Sequence, residues 1–157
     1  MHYFQPMPVQ FSPSDGPLPR RRRRNHGGEP APAAGRRIAI VEDELMVAWA
    51  LESSVEDMGY SVTGIFADAD AVLESLLTRP VELVLMDINL GAGMDGVDTA
   101  RRIRAAYGIP IIFISAYADA AMQTRIGKDV PGARFLRKPV QAADLEGALR
   151  SALGASN

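Results

Sequence analysis

Four short apolar runs, each followed by polar side chains, constrain the fold of this chain more than any other feature. The runs and the polar residues behind them are 38–41 before Glu42 and Asp43, 83–86 before Asp87, 111–114 before Ser115, and 135–136 before Lys138. The longer runs lack polar–apolar alternation, which predicts parallel strands covered by helices on both faces. Because parallel strands end at the same edge of a sheet, three carboxylates, a hydroxyl and an ammonium are expected to meet there.

Composition narrows the class of protein. The chain has 157 residues, of which 47% are apolar and 23% are charged, as suits one globular domain with a real core. It has no cysteine, which excludes a disulfide framework and a thiolate metal site. No apolar stretch approaches the roughly 20 residues of a membrane span, and no apolar block follows Met1 as in a signal peptide. A cytoplasmic protein is therefore predicted.

Residues 1–35 differ from the rest of the chain. Five consecutive arginines, Arg20–Arg24, outnumber the two acidic residues of this segment and give it a charge of +3, whereas the remainder carries −5. The segment is rich in proline and lacks apolar periodicity, which predicts a disordered tail. The arginine run is either solvated and without a role, or a site for nucleic acid, an anionic membrane surface or an acidic partner. Both histidines, His2 and His26, lie here, so chemistry in the folded part must proceed without an imidazole.

From Arg36 onward, strand and helix patterns alternate. The predicted strands are 37–41, 61–66, 81–86, 111–114 and 134–136, and the predicted helices are 44–58, 68–78, 97–107, 118–126 and 140–153. Five β-α units with right-handed crossovers give an α/β fold, a doubly wound five-stranded parallel sheet of order 2-1-3-4-5, with the more polar second strand at an edge. Residues 154–157 are predicted to be a short C-terminal tail, with no output domain after it.

The strand ends favour a divalent cation. Three crowded carboxylates repel one another unless a cation lies among them, and Mg²⁺ prefers oxygen ligands. Asp43 and Asp87 are predicted to bind Mg²⁺ directly, Glu42 directly or through water, and the backbone carbonyl of Asn89 at a further position. Taken singly, such carboxylates are often helix caps, and a serine or lysine there is often a turn residue or a surface charge. Their conjunction favours the metal site.

Because the chain has no cysteine and its predicted folded part has no histidine, the candidate nucleophile is a carboxylate. Asp87 can attack a phosphoryl group to form an aspartyl phosphate. Mg²⁺ and Lys138 would neutralise charge on the phosphoryl oxygens, and Ser115 would donate its hydroxyl hydrogen to one of them. The residue types therefore predict a phosphoacceptor site.

These residues lie in four motifs that resemble the receiver domain of two-component response regulators. The motifs are Val41–Glu44, Leu85–Gly96, Phe113–Ala116 and Phe135–Pro139. The resemblance covers residues 36–153 and implies a flavodoxin-like (βα)5 fold. It implies that a histidine kinase or a phosphotransfer protein phosphorylates Asp87, with Mg²⁺ required. Such a protein is a signalling phosphoacceptor that assists its own phosphorylation and dephosphorylation, and it is not an enzyme.

The resemblance also implies a conformational switch. In such domains the phosphoryl group draws in the hydroxyl at Ser115, and the aromatic ring at Phe135 turns inward. The alternative for Phe135 is an ordinary core residue. The resemblance further implies a cis peptide at Lys138–Pro139.

Two departures from the family pattern concern the phosphoacceptor loop and residue 115. The loop at 88–96 lacks the proline common there and is one residue longer, and Ser115 replaces the commoner threonine. Asn89 and Tyr117 stand two residues beyond Asp87 and Ser115, where side chains control water access to the acyl phosphate. Both are therefore predicted to tune the lifetime of the phosphoryl group.

The first predicted helix indicates a partner surface. Leu45, Ala48 and Trp49 share a face near the acidic site, whereas Val47 and Leu51 are expected to face the sheet. An exposed tryptophan beside the phosphoacceptor predicts an anchor for the kinase or phosphotransfer protein, with Leu45 beside it. The alternative is that Trp49 packs under the N-terminal tail or is only half exposed.

Three rival classes remain open. A haloacid-dehalogenase-like phosphatase needs a second acid two residues after the nucleophile, where this chain has Asn89. A flavodoxin-like electron carrier needs a phosphate-cradling loop after the first strand, where Glu42–Glu44 would repel phosphate. A nucleic-acid- or anion-binding adaptor would use Arg20–Arg24 with the folded domain as scaffold, although nucleic acid is the less expected partner. Without an output domain, a receiver signals through contacts with an unidentified downstream protein.

Overall fold

The computed structural model describes residues 35–91 and 93–154, in which five strands alternate with five helices. The strands are β1 (Arg37–Val41), β2 (Ser61–Phe66), β3 (Leu83–Asp87), β4 (Ile111–Ser115) and β5 (Arg134–Arg137). The helices are α1 (Leu45–Asp57), α2 (Ala69–Leu76), α3 (Gly96–Tyr107), α4 (Ala120–Asp129) and α5 (Ala142–Gly154). The predicted disorder of the N-terminal segment, with Arg20–Arg24, lies outside the described residues, as does the chain after Gly154.

The five strands form one parallel sheet in the order β2-β1-β3-β4-β5. This order confirms the predicted doubly wound α/β fold. β3 lies between β1 and β4, and its register places Asp87 beside Ile114. Ser115, the last residue of β4, lies beside Arg137 of β5. The loops that follow β1, β3 and β4 therefore open at one carboxyl edge.

Two apolar layers cover the sheet. Ile38 and Ile40 of β1 pack with residues of α1 and α5, whereas Ala39 and Val41 pack with residues of α2, α3 and α4. Successive strand residues point to opposite faces, so a strand that is buried on both faces has no polar positions. Each buried Ile or Leu stabilises the fold by about 1.5–3 kcal/mol relative to exposure. The central strands thus form a fixed base under the polar residues at their ends.

Aspartate side chains define three helix starts. Asp68, Asp95 and Asp119 each accept a hydrogen bond from a backbone N–H in the first turn of α2, α3 and α4. The largest difference from the predicted elements is in α4, which was expected at 118–126. It begins later because Asp119 caps it, and it continues through Gly127 because one exposed glycine costs a helix only about 1 kcal/mol.

β3 also differs from its prediction, because its pairing with β1 begins at Leu83 and Asp87 is itself the last strand residue. Among the residues that the structure describes, no helix combines the length and the apolarity needed to cross a lipid bilayer.

Candidate functional site

The carboxyl edge of the sheet gathers five of the polar residues singled out in the sequence. Glu42 and Asp87 are 2% and 4% exposed, and Ser115 is fully buried. Asp43 is exposed, and Lys138 follows β5, where its side chain is 17% exposed. Their burial follows from their positions, because each of the first three lies at the end of a strand that is covered on both faces.

Lys138 bridges the two buried carboxylates. Its Nζ lies 2.6 Å from Glu42 Oε2 and 2.9 Å from Asp87 Oδ2. Burial acts to lower the pKa of Lys138, but the hydrogen bonds to these carboxylates outweigh it and raise the pKa above its ordinary value. The ammonium therefore stays charged beside Asp87.

The backbone also fixes Lys138. Its N–H donates to the carbonyl of Ser115 at 2.9 Å, which ties the segment after β5 to the end of β4. The Lys138–Pro139 peptide is cis, as predicted.

Three carboxylates lie close enough to share one cation. One oxygen each from Glu42, Asp43 and Asp87 lie within 4.8 Å of one another. Burial raises the pKa of Glu42 above its ordinary value and outweighs the hydrogen bond from Lys138. Three carboxylates against one ammonium leave an excess of negative charge, which a divalent cation would balance.

The loop after β3 contributes a backbone contact to the site. The N–H of Asn89 donates to Asp87 Oδ1 at 3.1 Å, so both oxygens of the Asp87 carboxylate are held, one by this amide and one by Lys138. Gly91 adopts a left-handed φ of 67°, which L side chains rarely adopt. An added Cβ there would lie 3.4 Å from Asp43 Oδ2, so the loop passes close to the Asp43 carboxylate.

The hydroxyl of Ser115 is bonded within its own loop. Its Oγ donates to the carbonyl of Tyr117 at 2.9 Å and accepts from the Tyr117 N–H at 3.3 Å. The side chain of Tyr117 is 68% exposed. Phe135 is partly buried, pairs in register with Phe113, and packs against the core cluster under α4. The structure thus places Ser115, Tyr117 and Phe135 beside the site or against α4, and their roles stay predictions.

The start of α1 exposes large apolar side chains next to the site. Leu45 is 53% exposed and Trp49 is 51% exposed, so Trp49 is half exposed, as the alternative to an anchor required, and its role as a partner anchor stays a prediction. Ala48 was expected on the same face but is fully buried. It lies with Leu51 on the apolar stripe of α1, which packs against the sheet. The sequence prediction also missed Met46, which is more exposed than either neighbour.

A groove of about 550 Å³ lies beside this exposed surface. Its lining joins α1 to the segment that follows Lys138 and includes Met46, Ala50, Pro139 and Val140. Sequence periodicity gave no sign of it, because the groove forms between elements that are far apart in the chain.

Comparison with known proteins agrees with the fold and identifies a family. Residues 38–150 match the family model of the response regulator receiver domain. The phyllosphere-induced regulator PhyR of Methylorubrum extorquens is 31% identical over 128 residues, which are 81% of this chain and 47% of that protein. The transcriptional regulatory protein DltR of Streptococcus agalactiae is 36% identical over 115 residues, 73% of this chain and 50% of that protein. The chain thus spans about half the length of these curated relatives.

A solved receiver domain provides a structural comparison. The receiver domain of the sensor histidine kinase PA1611 from Pseudomonas aeruginosa, solved with a magnesium ion coordinated in its active site cleft, matches with a TM-score of 0.68 and 29% identity. The match covers 78% of this chain and 100% of that one. Together with the motif match over residues 38–150, these similarities show that the chain belongs to the response regulator receiver domain family of two-component signalling proteins.

Proposed function

We propose that this chain accepts a phosphoryl group on Asp87 from the phosphohistidine of a histidine kinase or a phosphotransfer protein, with Mg²⁺ bound, and signals through contacts with a downstream protein. The contact of Lys138 Nζ with Asp87 Oδ2 at 2.9 Å is the observation that carries this proposal. It places a fixed positive charge beside the oxygen atoms of any phosphoryl group on Asp87. Fixed charge at the point where the transition state develops charge is the main contribution a protein makes to phosphoryl transfer.

The donor atoms of the site fit magnesium. Glu42, Asp43 and Asp87 offer only oxygen ligands, and the exposure of Asp43 leaves room for water molecules. The carbonyl of Asn89, in the loop held against Asp87, is the proposed further ligand. When bound, Mg²⁺ would neutralise charge shared by the carboxylates and the transferring phosphoryl oxygens.

The residues of the chain then perform one displacement. A bond forms between an Asp87 carboxylate oxygen and phosphorus while the bond from phosphorus to the donor nitrogen breaks. The electron pair leaves with that nitrogen, and the donor departs as a neutral imidazole when its other ring nitrogen carries a proton before the bond breaks. The Asn89 N–H and the Lys138 ammonium fix the orientation of the Asp87 carboxylate, which lowers the entropic part of the barrier. In this way the protein assists its own phosphorylation and, with water as the incoming group, its own dephosphorylation.

Ser115 and Phe135 are the proposed switch residues. To donate to a phosphoryl oxygen, the Ser115 hydroxyl must give up its bond to the Tyr117 carbonyl, and the loop before α4 then moves. Phe135 is only partly buried and packs against the core cluster, so in the proposed switch its ring moves from this position to a more buried one. The response is a shift between two packings whose size depends on the phosphoryl group and the bound partner.

The exposed surface of α1 is the proposed docking site for the phosphodonor. Leu45, Met46 and Trp49 expose apolar area immediately after the acidic residues of the site. Large aromatic and aliphatic side chains commonly anchor protein interfaces, and their position here would bring a phosphohistidine near Asp87.

Incubation with acetyl phosphate and Mg²⁺, followed by intact mass measurement, tests the proposal. We expect the wild-type chain to gain the mass of one phosphoryl group, and we expect Asp87→Asn and a sample treated with EDTA to gain none. Asp119→Asn is the matched control. Asp119 caps α4, and this substitution removes the same charge without touching the site. A wild-type chain that gains no phosphoryl group from acetyl phosphate or from a phosphohistidine protein would refute the proposal, and so would an Asp87→Asn chain that still gains one.

A further inference from the structure

Arg125 connects α4 to the start of α3 through a cluster of carboxylates. Its guanidinium forms a two-pronged contact with Asp95, at 2.7 Å from Nη1 to Oδ2 and 3.2 Å from Nη2 to Oδ1. Nη2 also lies 3.1 Å from Asp98 Oδ1, and Nε lies 3.5 Å from Asp129 Oδ2. The planar fork of arginine suits such a paired contact, which fixes orientation as well as distance.

Asp95 is in turn fixed to the first turn of α3. Its Oδ1 accepts from the N–H of Asp98 at 2.9 Å, and its carbonyl accepts from the hydroxyl of Thr99 at 2.8 Å. The position of Asp95 therefore determines where α3 begins.

The next residue, Gly96, touches the backbone of the phosphoacceptor. Its N–H donates to the carbonyl of Ile88 at 3.0 Å. An added Cβ at Gly96 would lie 2.0 Å from the carbonyl oxygen of Asp87, so the two backbones are in direct contact. The chain of contacts therefore runs from Arg125 through Asp95 and Gly96 to Asp87.

Helix α4, at the other end of this chain of contacts, buries few apolar side chains. Ile126 is the only buried residue among the ten of α4. Helix α4 is thus held to α3 partly by the guanidinium, and not by apolar packing alone.

We propose that Arg125 is a positioning residue for phosphoryl transfer: it fixes the loop that follows Asp87 and carries Asn89, and it ties the position of that loop to α4. The inference rests on the proposed function, since it assigns Arg125 a part in the same site. By linkage, whatever shifts α4 then changes the affinity of the Asp87 site for its ligands, and the reverse also holds.

Electrostatics alone predicts the opposite effect of removing Arg125. A cation lost from the neighbourhood of an acidic site makes Mg²⁺ binding tighter. Loss of a positioning contact makes it weaker, because the Asn89 carbonyl and the Asp87 carboxylate are no longer held in place. The sign of the change in Mg²⁺ affinity therefore separates the two roles.

Calorimetric titration with Mg²⁺ measures that sign. We expect Arg125→Gln to weaken Mg²⁺ binding by about tenfold or more, as replacement of residues that orient metal ligands does. Arg125→Lys, which keeps the charge but not the fork, should fall between this variant and wild type. Arg101→Gln is the matched control. It removes the same charge from the adjacent helix α3, at a residue whose Nε lies 3.9 Å from Asp98 Oδ1. It should leave the affinity unchanged or slightly tighter.

Amide hydrogen exchange of the metal-free protein gives an independent readout. The Gly96 amide should exchange about tenfold faster in Arg125→Gln than in Arg101→Gln, since local opening of the loop becomes easier. Asp95→Asn, which keeps the helix cap and removes the ion pair, should reproduce the effect if Arg125→Gln folds poorly.

The two proposals fail differently. If wild type gains a phosphoryl group but Arg125→Gln and Asp95→Asn match Arg101→Gln in both affinity and exchange, the positioning role is refuted. If wild type gains none, the proposed function fails, whatever the exchange data show.

Discussion

Replacing Gly96 with alanine tests how closely α3 packs on the phosphoacceptor strand. The new Cβ would lie 2.0 Å from the Asp87 carbonyl oxygen and 2.9 Å from both the Asp87 carbonyl carbon and the Ile88 Cα. These are backbone atoms, so no side chain can rotate away, and α3 must move by about 1 Å or more to reach an ordinary contact.

The cost has two parts. Overpacking in a closed contact costs about 1–3 kcal/mol, and loss of the bond from the Gly96 N–H to the Ile88 carbonyl costs about 1 kcal/mol more. For a domain of this size, about 4 °C of melting temperature corresponds to 1 kcal/mol. We therefore expect Gly96→Ala to melt about 8–16 °C below wild type, with lower phosphoryl incorporation because Asp87 is displaced.

Thermal unfolding followed by circular dichroism measures this difference. Gly127→Ala is the matched control, because nothing lies within 4 Å of its added Cβ and the residue is exposed within α4. Alanine is the better helix former, so this control should melt up to about 4 °C above wild type. A Gly96→Ala chain that melts within about 2 °C of wild type would show that the α3–β3 contact is looser than described.

Four further predictions concern the site and its surroundings. Lys138→Met leaves buried carboxylates without their cation, so urea unfolding of the metal-free protein should show a free energy of unfolding about 1–3 kcal/mol lower. Mg²⁺ should bind this variant more tightly, and acetyl phosphate should label it more slowly. Burial acts to raise the pKa of Asp95, but hydrogen bonds from a guanidinium and from backbone amides hold it below the usual value. The stability it contributes is therefore present above about pH 4 and lost as pH falls through the lowered pKa, so the melting temperature of wild type should fall more steeply below about pH 4 than that of Asp95→Asn. Trp49→Ala should slow phosphorylation by the partner kinase but not by acetyl phosphate. The control Leu77→Ala, which removes an exposed apolar side chain just after α2, should change neither rate. Tyr117→Ala is expected to open the approach of water to Asp87 and so to shorten the phosphoryl lifetime, and an unchanged dephosphorylation rate would contradict this.

The sheet was predictable because its signal is local. A run such as Leu83–Met86 can only be buried on both faces, and a polar residue behind it must then lie at the carboxyl edge. The approach of Asp43, Asp87 and Lys138 followed from that order of strands and from the four motifs. The cis peptide before Pro139 followed from the family resemblance and is confirmed.

Other features depend on contacts that leave no periodic trace in the sequence. The pairing of Arg125 with Asp95 joins residues 30 positions apart on two helices, and an arginine on a short amphipathic helix looks like any solvated charge. The burial of Ala48 was missed because the apolar stripe of α1 is wider than the assumed pattern. The bonds of the Ser115 hydroxyl were equally invisible, because they depend on the turn that follows β4.

The Ser115 hydroxyl has a consequence for how readily the domain responds. This group already donates to the carbonyl two residues ahead, in a bond worth about 0.5–1.5 kcal/mol, and a bond to a charged phosphoryl oxygen would be worth about 1.5–3 kcal/mol. Moving the hydroxyl between the two acceptors would therefore change the free energy by only about 1 kcal/mol. Such an exchange involves only a small change in free energy. In the proposed switch, a small bias at the neighbouring carboxylate is then enough to shift this equilibrium, and removal of that bias shifts it back. Reversibility is thus a property of the resting turn itself.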